Sequence, residues 1–247
     1  MANHIFLIPK PAQSPKLRLF CFPFAGGGTS IFQPWIHSFS DDVELVLYHP
    51  PRSFFPNNQL LHQDMDSVIS ELLCYSDFIT REPYAFFGHS LGSHVAFELL
   101  VHLHNRALPL PEYFIGSGSR APIIPHSKKV LSDLPHDEFL VELAKLNGTP
   151  KEVLAQPELM ELLVPVLKAD FKIAETYVAE PIQFEIPALI LGGEQDHHVD
   201  MEFLQAWEQI FVNKMQVKIL PGDHFFINEH RSQVIGFVKS ALREIGV

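Results

Sequence analysis

The sequence predicts an α/β protein with a mostly parallel central sheet and helices on both faces. Apolar runs of strand length alternate with helical patterns through the first half of the chain, and the alternation resumes near its end. The runs are almost continuously apolar, which is typical of strands buried on both sides. Strand–helix–strand order favours parallel pairing, because the crossover helices then cover the sheet. A chain of 247 residues suits one large domain.

The predicted strands are apolar runs, several of them closed by glycine or proline turns. The first ends at Pro23 and three glycines, and the second ends at Pro50 and Pro51. The third leads directly into a glycine and then a helical pattern. In chain order the strands cover residues 17–22, 43–48, 84–87, 113–116, 187–192 and 215–220.

Apolar residues at helical spacing lie between these strands and after the last of them. They predict helices over residues 61–78, 93–103, 201–211 and 231–244. From about residue 121 to 181 the pattern is helical with no convincing strand. We therefore expect a single domain over 1–247 that carries a helical insertion at about 121–181.

The charge and cysteine content narrow the class of protein. The formal net charge is −11, which disfavours nucleic acid and anionic membrane surfaces as partners. No apolar run reaches the roughly 18 residues of a membrane span, and the N-terminal region has no secretory pattern. Cys21 and Cys74 are expected to be free buried thiols. We expect a cytoplasmic monomer.

A catalytic motif lies at the end of the third strand, where Gly-His-Ser-Leu-Gly occupies residues 88–92. The two glycines suit a sharp strand-to-helix turn, since side chains at 88 and 92 would clash with the neighbouring helix and strand. Such a turn holds a serine in a strained conformation and exposes its hydroxyl, which makes Ser90 a candidate nucleophile. The alternative is an ordinary helix start with Ser90 as its N-cap.

A serine nucleophile needs a base and a group that orients the base. In this type of fold they follow in the order serine, acid, histidine. Asp196 lies at the carboxyl end of the predicted strand 187–192, with Glu194 and Asp200 as alternatives; Asp200 also suits a helix N-cap. Of fourteen histidines, His224 lies on the loop after the last strand, where the base is expected.

The developing oxyanion needs two backbone N–H donors. We expect them from Leu91, which begins the helix after Ser90, and from Ala25, in the loop after the first strand. Gly26 and Gly27 would let that backbone approach a substrate, although a plain glycine turn is the alternative. The neighbours His197 and His198 lack a completing ligand set, so no metal and no cofactor is expected.

Several motifs in order make the chain resemble the type II (external) thioesterases of nonribosomal peptide and polyketide synthases, which have the α/β-hydrolase fold. The resemblance covers essentially the whole chain. It rests on CFPFAGG at 21–27, Phe32 and Trp35, PYAFFGHSLG at 83–92, AFEL at 96–99, GSGSRAP at 116–122, GGEQD at 192–196 and GDHFF at 222–226.

The resemblance implies a substrate: an acyl or aminoacyl thioester on the phosphopantetheine arm of an acyl or peptidyl carrier protein. It also implies that the helical insertion is a lid. One departure is Pro51, where the family usually has glycine before the arginine, here Arg52. Arg52 is a candidate phosphate contact or a structural ion pair. A small-molecule carboxylesterase or lipase on the same scaffold is the alternative function.

Overall fold

One central sheet organises the computed structural model, which describes residues 5–51 and 61–247. The sheet has seven strands within these residues, in the order β1-β3-β2-β4-β5-β6-β7, and only β1 runs antiparallel, against β3. The prediction of a mostly parallel sheet is confirmed. In chain order the strands are β1 (Phe6–Leu7), β2 (Leu17–Phe22), β3 (Val43–Tyr48), β4 (Tyr84–His89), β5 (Tyr113–Ser117), β6 (Ala188–Gly193) and β7 (Met215–Leu220).

Helices cover both faces of this sheet. Short 3-10 helices at Thr29–Trp35 and Ala206–Gln209 supplement the α-helices. In the described ranges, 5–51 and 61–247, no helix has the length and apolar character needed to cross a membrane. The α-helices are α1 (Met65–Leu73), α2 (Ser76–Ile79), α3 (Leu91–Asn105), α4 (His136–Lys145), α5 (Lys151–Leu154), α6 (Pro157–Thr176), α7 (Met201–Gln205), α8 (Phe226–Glu229) and α9 (Arg231–Glu244).

The structure differs from the predicted elements mainly at their ends. Helix α1 begins later than the apolar pattern because Asp64 caps it, accepting a 2.8 Å hydrogen bond from the Ser67 N–H. The predicted helix over 201–211 stops early and continues as a 3-10 turn. Strand β1 was not predicted, since two residues are too few to show periodicity.

The core has two layers because alternate residues of a strand point to opposite faces. Phe20 and Phe22 of β2 pack with α1 and α3, whereas Leu19 and Cys21 pack on the other face with α9.

Both cysteines are free thiols. The expectation that both are buried was wrong for Cys74, which is exposed where it ends α1.

Helices α4, α5 and α6 fill the chain between β5 and β6, where a helical insertion was predicted. Arg120 joins this segment to the sheet, since its guanidinium donates hydrogen bonds to the carbonyl oxygens of Ala174 and Tyr177. The segment has a small apolar core of its own. Its buried members are Leu131, Phe139, Leu143, Met160, Val164 and Leu167.

Candidate active site

The backbone at Ser90 makes the sharp turn that the motif predicts. Ser90 has φ 54° and ψ −118°, a conformation that non-glycine residues rarely adopt. A Cβ at Gly88 would lie 2.2 Å from the carbonyl oxygen of Gly92, and one at Gly92 would lie 2.1 Å from that of Phe22. Only glycine allows strand β4, helix α3 and strand β2 to approach so closely.

The structure brings Ser90, His224 and Asp196 into one hydrogen-bonded series. Nε2 of His224 lies 2.9 Å from Oγ of Ser90, and Nδ1 of His224 lies 2.8 Å from Oδ2 of Asp196. The three residues follow β4, β7 and β6 respectively. They meet because parallel strands end at the same edge of the sheet. A serine hydroxyl, an imidazole and a carboxylate in this order can perform nucleophilic catalysis.

Asp196 is held in place and kept charged. It is 7% exposed, and its Oδ1 accepts hydrogen bonds from the backbone N–H groups of His198, at 2.8 Å, and Val199, at 3.2 Å. Burial alone would raise the pKa of Asp196, but the hydrogen bond and charge of His224, with the N–H of His198, lower it below its usual value. The carboxylate therefore faces His224 ionised at neutral pH.

The alternative acids lie outside this series. Glu194 is exposed and accepts a hydrogen bond from the side chain of Gln195. Asp200 is the residue before α7, and its carboxylate pairs with Lys128 at 3.2 Å. A third nearby carboxylate, that of Asp223, accepts a 2.8 Å hydrogen bond from the Phe225 N–H within its own loop. Among these four carboxylates, Asp196 is the one that contacts His224.

The expected oxyanion donors come from two different parts of the chain, the start of α3 and the loop after β2. Leu91 is the first residue of α3, so its N–H has no partner inside the helix. Ala25 lies in a turn closed by a 2.8 Å hydrogen bond from the Gly27 N–H to the Phe24 carbonyl. Gly26 has φ 76° in this turn, a value that favours glycine.

One residue that shapes this turn was missed by sequence reasoning. Oδ2 of Asp170, on α6, accepts a 2.7 Å hydrogen bond from the Gly26 N–H. Leu167, one turn earlier on the same helix, packs so closely that a Cβ at Gly26 would lie 2.3 Å from its Cδ2. Residues 26 and 170 are 144 positions apart, and no local pattern links them.

A cavity of about 440 Å³ opens beside the serine. Ser90, His224, Ala25 and Leu91 all line it, so the candidate nucleophile, base and oxyanion donors face one space. Its walls include Phe171 of α6. The arrangement can hold an acyl group next to Ser90.

Two further sequence hypotheses concern residues near this cavity. His197 and His198 both line it, and the His198 ring lies 5.9 Å from that of His224. In the part of the chain that the structure describes, no three His, Cys, Asp or Glu side chains are grouped to hold a metal ion. Arg52, the candidate phosphate contact, lies outside the described residues.

Comparison with known families decides what kind of enzyme this site belongs to. The thioesterase domain family matches residues 17–242. The chain belongs to the thioesterase family. Its fold is that of the α/β-hydrolases, as solved thioesterases of similar structure show, and the predicted resemblance to type II thioesterases is confirmed.

Several relatives resemble this thioesterase over nearly their whole length. The gramicidin S biosynthesis protein GrsT of Aneurinibacillus migulanus is 34% identical over 242 residues, which cover 98% of this chain and 94% of GrsT. The crystal structure of ClbQ from the colibactin NRPS/PKS pathway has a TM-score of 0.84 and 31% identity, covering 93% of this chain and 98% of ClbQ. YbtT, the type II thioesterase of the yersiniabactin NRPS/PKS pathway, has a TM-score of 0.83 and 30% identity, covering 97% of both chains.

Proposed function

We propose that this thioesterase releases acyl or aminoacyl groups from the phosphopantetheine arm of a carrier protein, through a covalent acyl-enzyme. Ser90 is the nucleophile, His224 the general base and Asp196 the group that orients His224. The observation that carries the proposal is the hydrogen-bonded series of these three side chains beside a cavity of about 440 Å³.

The first step forms the acyl-enzyme. Oγ of Ser90 attacks the thioester carbonyl carbon while Nε2 of His224, 2.9 Å away, takes the hydroxyl proton. The tetrahedral intermediate collapses, the C–S bond breaks, and the sulfur leaves as a thiol once it has taken the proton from His224. Asp196 remains ionised and stabilises the imidazolium that forms in between.

The second step returns the enzyme to its starting state. His224 takes a proton from a water molecule, whose oxygen attacks the ester carbonyl of the acylated Ser90. The bond to Oγ then breaks, Oγ regains the proton from His224, and the carboxylic acid leaves. The N–H groups of Ala25 and Leu91 donate to the oxyanion in both steps. Loss of one such donor typically costs about 2.7–4 kcal/mol.

The relatives and the charges around the cavity support a carrier-bound substrate. GrsT is named for gramicidin S biosynthesis, and ClbQ and YbtT come from NRPS/PKS pathways. Three partly exposed lysines line the cavity: Lys128, Lys129 and Lys145. Lys128 pairs with Asp200, whereas Lys129 and Lys145 share the single carboxylate of Glu142, so these ammonium groups can attract an anionic arm in a chain of net charge −11.

The helical segment is proposed to act as a lid within a single domain. It supplies one wall of the cavity through Leu131, Leu146 and Phe171. It also contacts the loop after β2, which carries the proposed oxyanion donor Ala25, through the Asp170–Gly26 hydrogen bond. A wall of this kind would select the acyl group by its size and shape, while the residues that follow the strands of the sheet perform the chemical steps.

The test is a comparison of substrates that share one acyl group. Turnover is measured for the acyl group on a phosphopantetheinylated carrier protein, on free phosphopantetheine, on pantetheine and as its p-nitrophenyl ester. We expect kcat/KM to be highest for the carrier and higher with the phosphate than without it. A preference for the p-nitrophenyl ester would instead indicate a small-molecule esterase. Ser90→Ala is the control, and turnover retained in this variant would contradict the mechanism.

A further inference from the structure

We infer that His89 is a positioning residue, whose ring fixes the loop that carries His224 to the strand that carries Ser90. His89 is the last residue of β4 and the direct neighbour of Ser90. The Gly-x-Ser-x-Gly pattern requires only the glycines and the serine, so it gives this histidine no role. The inference rests on the catalytic roles proposed above for Ser90 and His224.

Both ring nitrogens of His89 have a partner. Nε2 lies 2.9 Å from the main-chain carbonyl oxygen of His224, and Nδ1 lies 2.9 Å from Oγ of Ser117, at the end of β5. A carbonyl oxygen can only accept, so Nε2 must carry the proton. Nδ1 of the neutral ring then accepts from the Ser117 hydroxyl. These partners fix one tautomer and one orientation of the ring.

The surroundings keep this ring neutral and in place. His89 is completely buried, and burial, with the nearby charge of His224, lowers its pKa to about 3. Phe24 and Phe226 pack edge-on against it at 5.8 and 5.3 Å between ring centroids. On another side is Gly118, where a Cβ would lie 2.8 Å from Cε1 of His89. Because the ring cannot move aside, the His224 carbonyl oxygen that is hydrogen-bonded to its Nε2 is held in place as well.

A continuous chain of hydrogen bonds therefore joins the nucleophile to the base by a route other than their direct contact. The Ser90 N–H donates to the Ser117 carbonyl at 2.7 Å, and Ser117 bonds to His89, which bonds to the His224 carbonyl. This second route is made of main-chain groups and two fully buried side chains. It fixes the distance from Ser90 Oγ to His224 Nε2 even while the proton between them is being transferred.

Two substitutions separate positioning from simple packing. Glutamine carries its amide N–H at the position of the His89 Nε2 and can still donate to the His224 carbonyl. Asparagine is one carbon shorter and reaches only the position of Nδ1, so it leaves that carbonyl without its donor. We expect His89→Gln to keep kcat within about threefold of the wild type. We expect His89→Asn to lower kcat about 10- to 100-fold with KM nearly unchanged, since small misplacements of reacting groups have effects of this size.

The measurement is kcat and KM with an acyl-phosphopantetheinyl carrier, at a temperature where circular dichroism shows both variants folded. A second readout is the downfield proton NMR signal of the His224 Nδ1–H, which should persist in the glutamine variant and broaden or shift in the asparagine variant. Equal kcat values for the two variants would overturn the inference. A higher KM in the asparagine variant with an unchanged kcat would also overturn it. Failure of the proposed function can be distinguished from failure of this inference, because Ser90→Ala would retain turnover only in the first case.

Discussion

The turn at Ser90 and the helical segment of residues 121–181 are built in different ways. The turn depends on backbone contacts that only glycine permits, with Gly88 and Gly92 against main-chain atoms of other elements. The helical segment packs side chains around a small core of its own, and it leaves Val141 57% and Leu162 47% exposed. We therefore expect the first region to tolerate almost no change in shape and the second to tolerate changes in its exposed side chains.

We expect this difference to separate the chemistry from the choice of substrate. Ser90, Asp196 and His224 all follow strands of the sheet, so strand pairing sets the places at which their loops begin. The helical segment contributes Leu131, Leu146 and Phe171 to the cavity wall and contacts the loop after β2 at Gly26. Substitutions at the sheet edge should therefore change kcat or abolish folding, while those in the segment should have smaller and more selective effects.

The largest effect is expected for Asp196→Asn. The amide keeps the size of the side chain but can donate to Nδ1 of His224, which then presents the wrong tautomer to Ser90. We expect kcat to fall by about 10⁴-fold, as in serine hydrolases of this design, with little change in KM or thermal midpoint. The measurement is steady-state hydrolysis of one acyl thioester.

Asp200→Asn is the matched control, because Asp200 was an alternative acid in the sequence and pairs only with the partly exposed Lys128 in the described structure. Its kcat should stay within about twofold of the wild type, since exposed ion pairs contribute little. A similar loss in both variants would mean that Asp196 does not orient the base.

The next effect concerns the stability of the turn. Gly92→Ala places a methyl group 2.1 Å from the carbonyl oxygen of Phe22, where the backbone cannot move away. We expect unfolding free energy to fall by about 3 kcal/mol despite the helix preference for alanine. Gly236→Ala, in α9, meets nothing within 4 Å and should stabilise the protein by about 0.5–1 kcal/mol. Urea titration of both variants measures the contrast, and equal effects would contradict it.

A third prediction uses the two buried histidines of the turn region, His89 and His94. Burial lowers the pKa of His89 to about 3, with the charge of His224 adding to it, and burial and the charge of Arg120 lower that of His94 well below its usual value. In the unfolded chain each histidine has a pKa of about 6.5. Below that pH the unfolded state therefore binds protons that the folded state does not bind.

Unfolding free energy should therefore be unaffected by these two groups above about pH 6.5 and should decrease as the pH falls from there towards about 3. At pH 5.5 His89 costs about 1.4 kcal/mol relative to pH 7.5, and His94 acts in the same direction. Urea titrations at both pH values test this. In His89→Gln the decrease should be smaller by about that amount, and an unchanged decrease would show that His89 is not kept neutral.

The smallest effect is expected for the contact between the helical segment and the loop after β2. Asp170→Ala removes the acceptor of the Gly26 N–H, next to the proposed donor Ala25. Because the donor itself remains, we expect kcat to fall only about 10-fold, less than the loss of an oxyanion donor causes. Glu161→Ala, at an exposed position of the same helix, is the control and should leave kcat unchanged. An unchanged kcat in Asp170→Ala would contradict the expectation that the helical segment influences catalysis through this contact.

Sequence reasoning predicted the sheet well, because strands buried on both faces are nearly continuous apolar runs. It also predicted the residues that meet at the site, since the motif at 88–92 and the ends of strands β6 and β7 fix their places. It missed contacts between distant residues. The partners of His89 are 28 and 135 positions away, and that of Asp170 is 144 positions away. Nothing in the local pattern records such pairs, which depend on how loops pack.

The most direct test of the account is to look for the acyl group on Ser90. The wild type is mixed with an excess of acyl-phosphopantetheinyl carrier, quenched in acid within milliseconds, and analysed by intact-protein and peptide mass spectrometry. We predict a mass increase equal to the acyl group minus one hydrogen, located on the peptide that contains Ser90 and absent from Ser90→Ala, which should also have lost turnover. Hydrolysis by Ser90→Ala at the wild-type rate, or an adduct on another residue, would contradict the account.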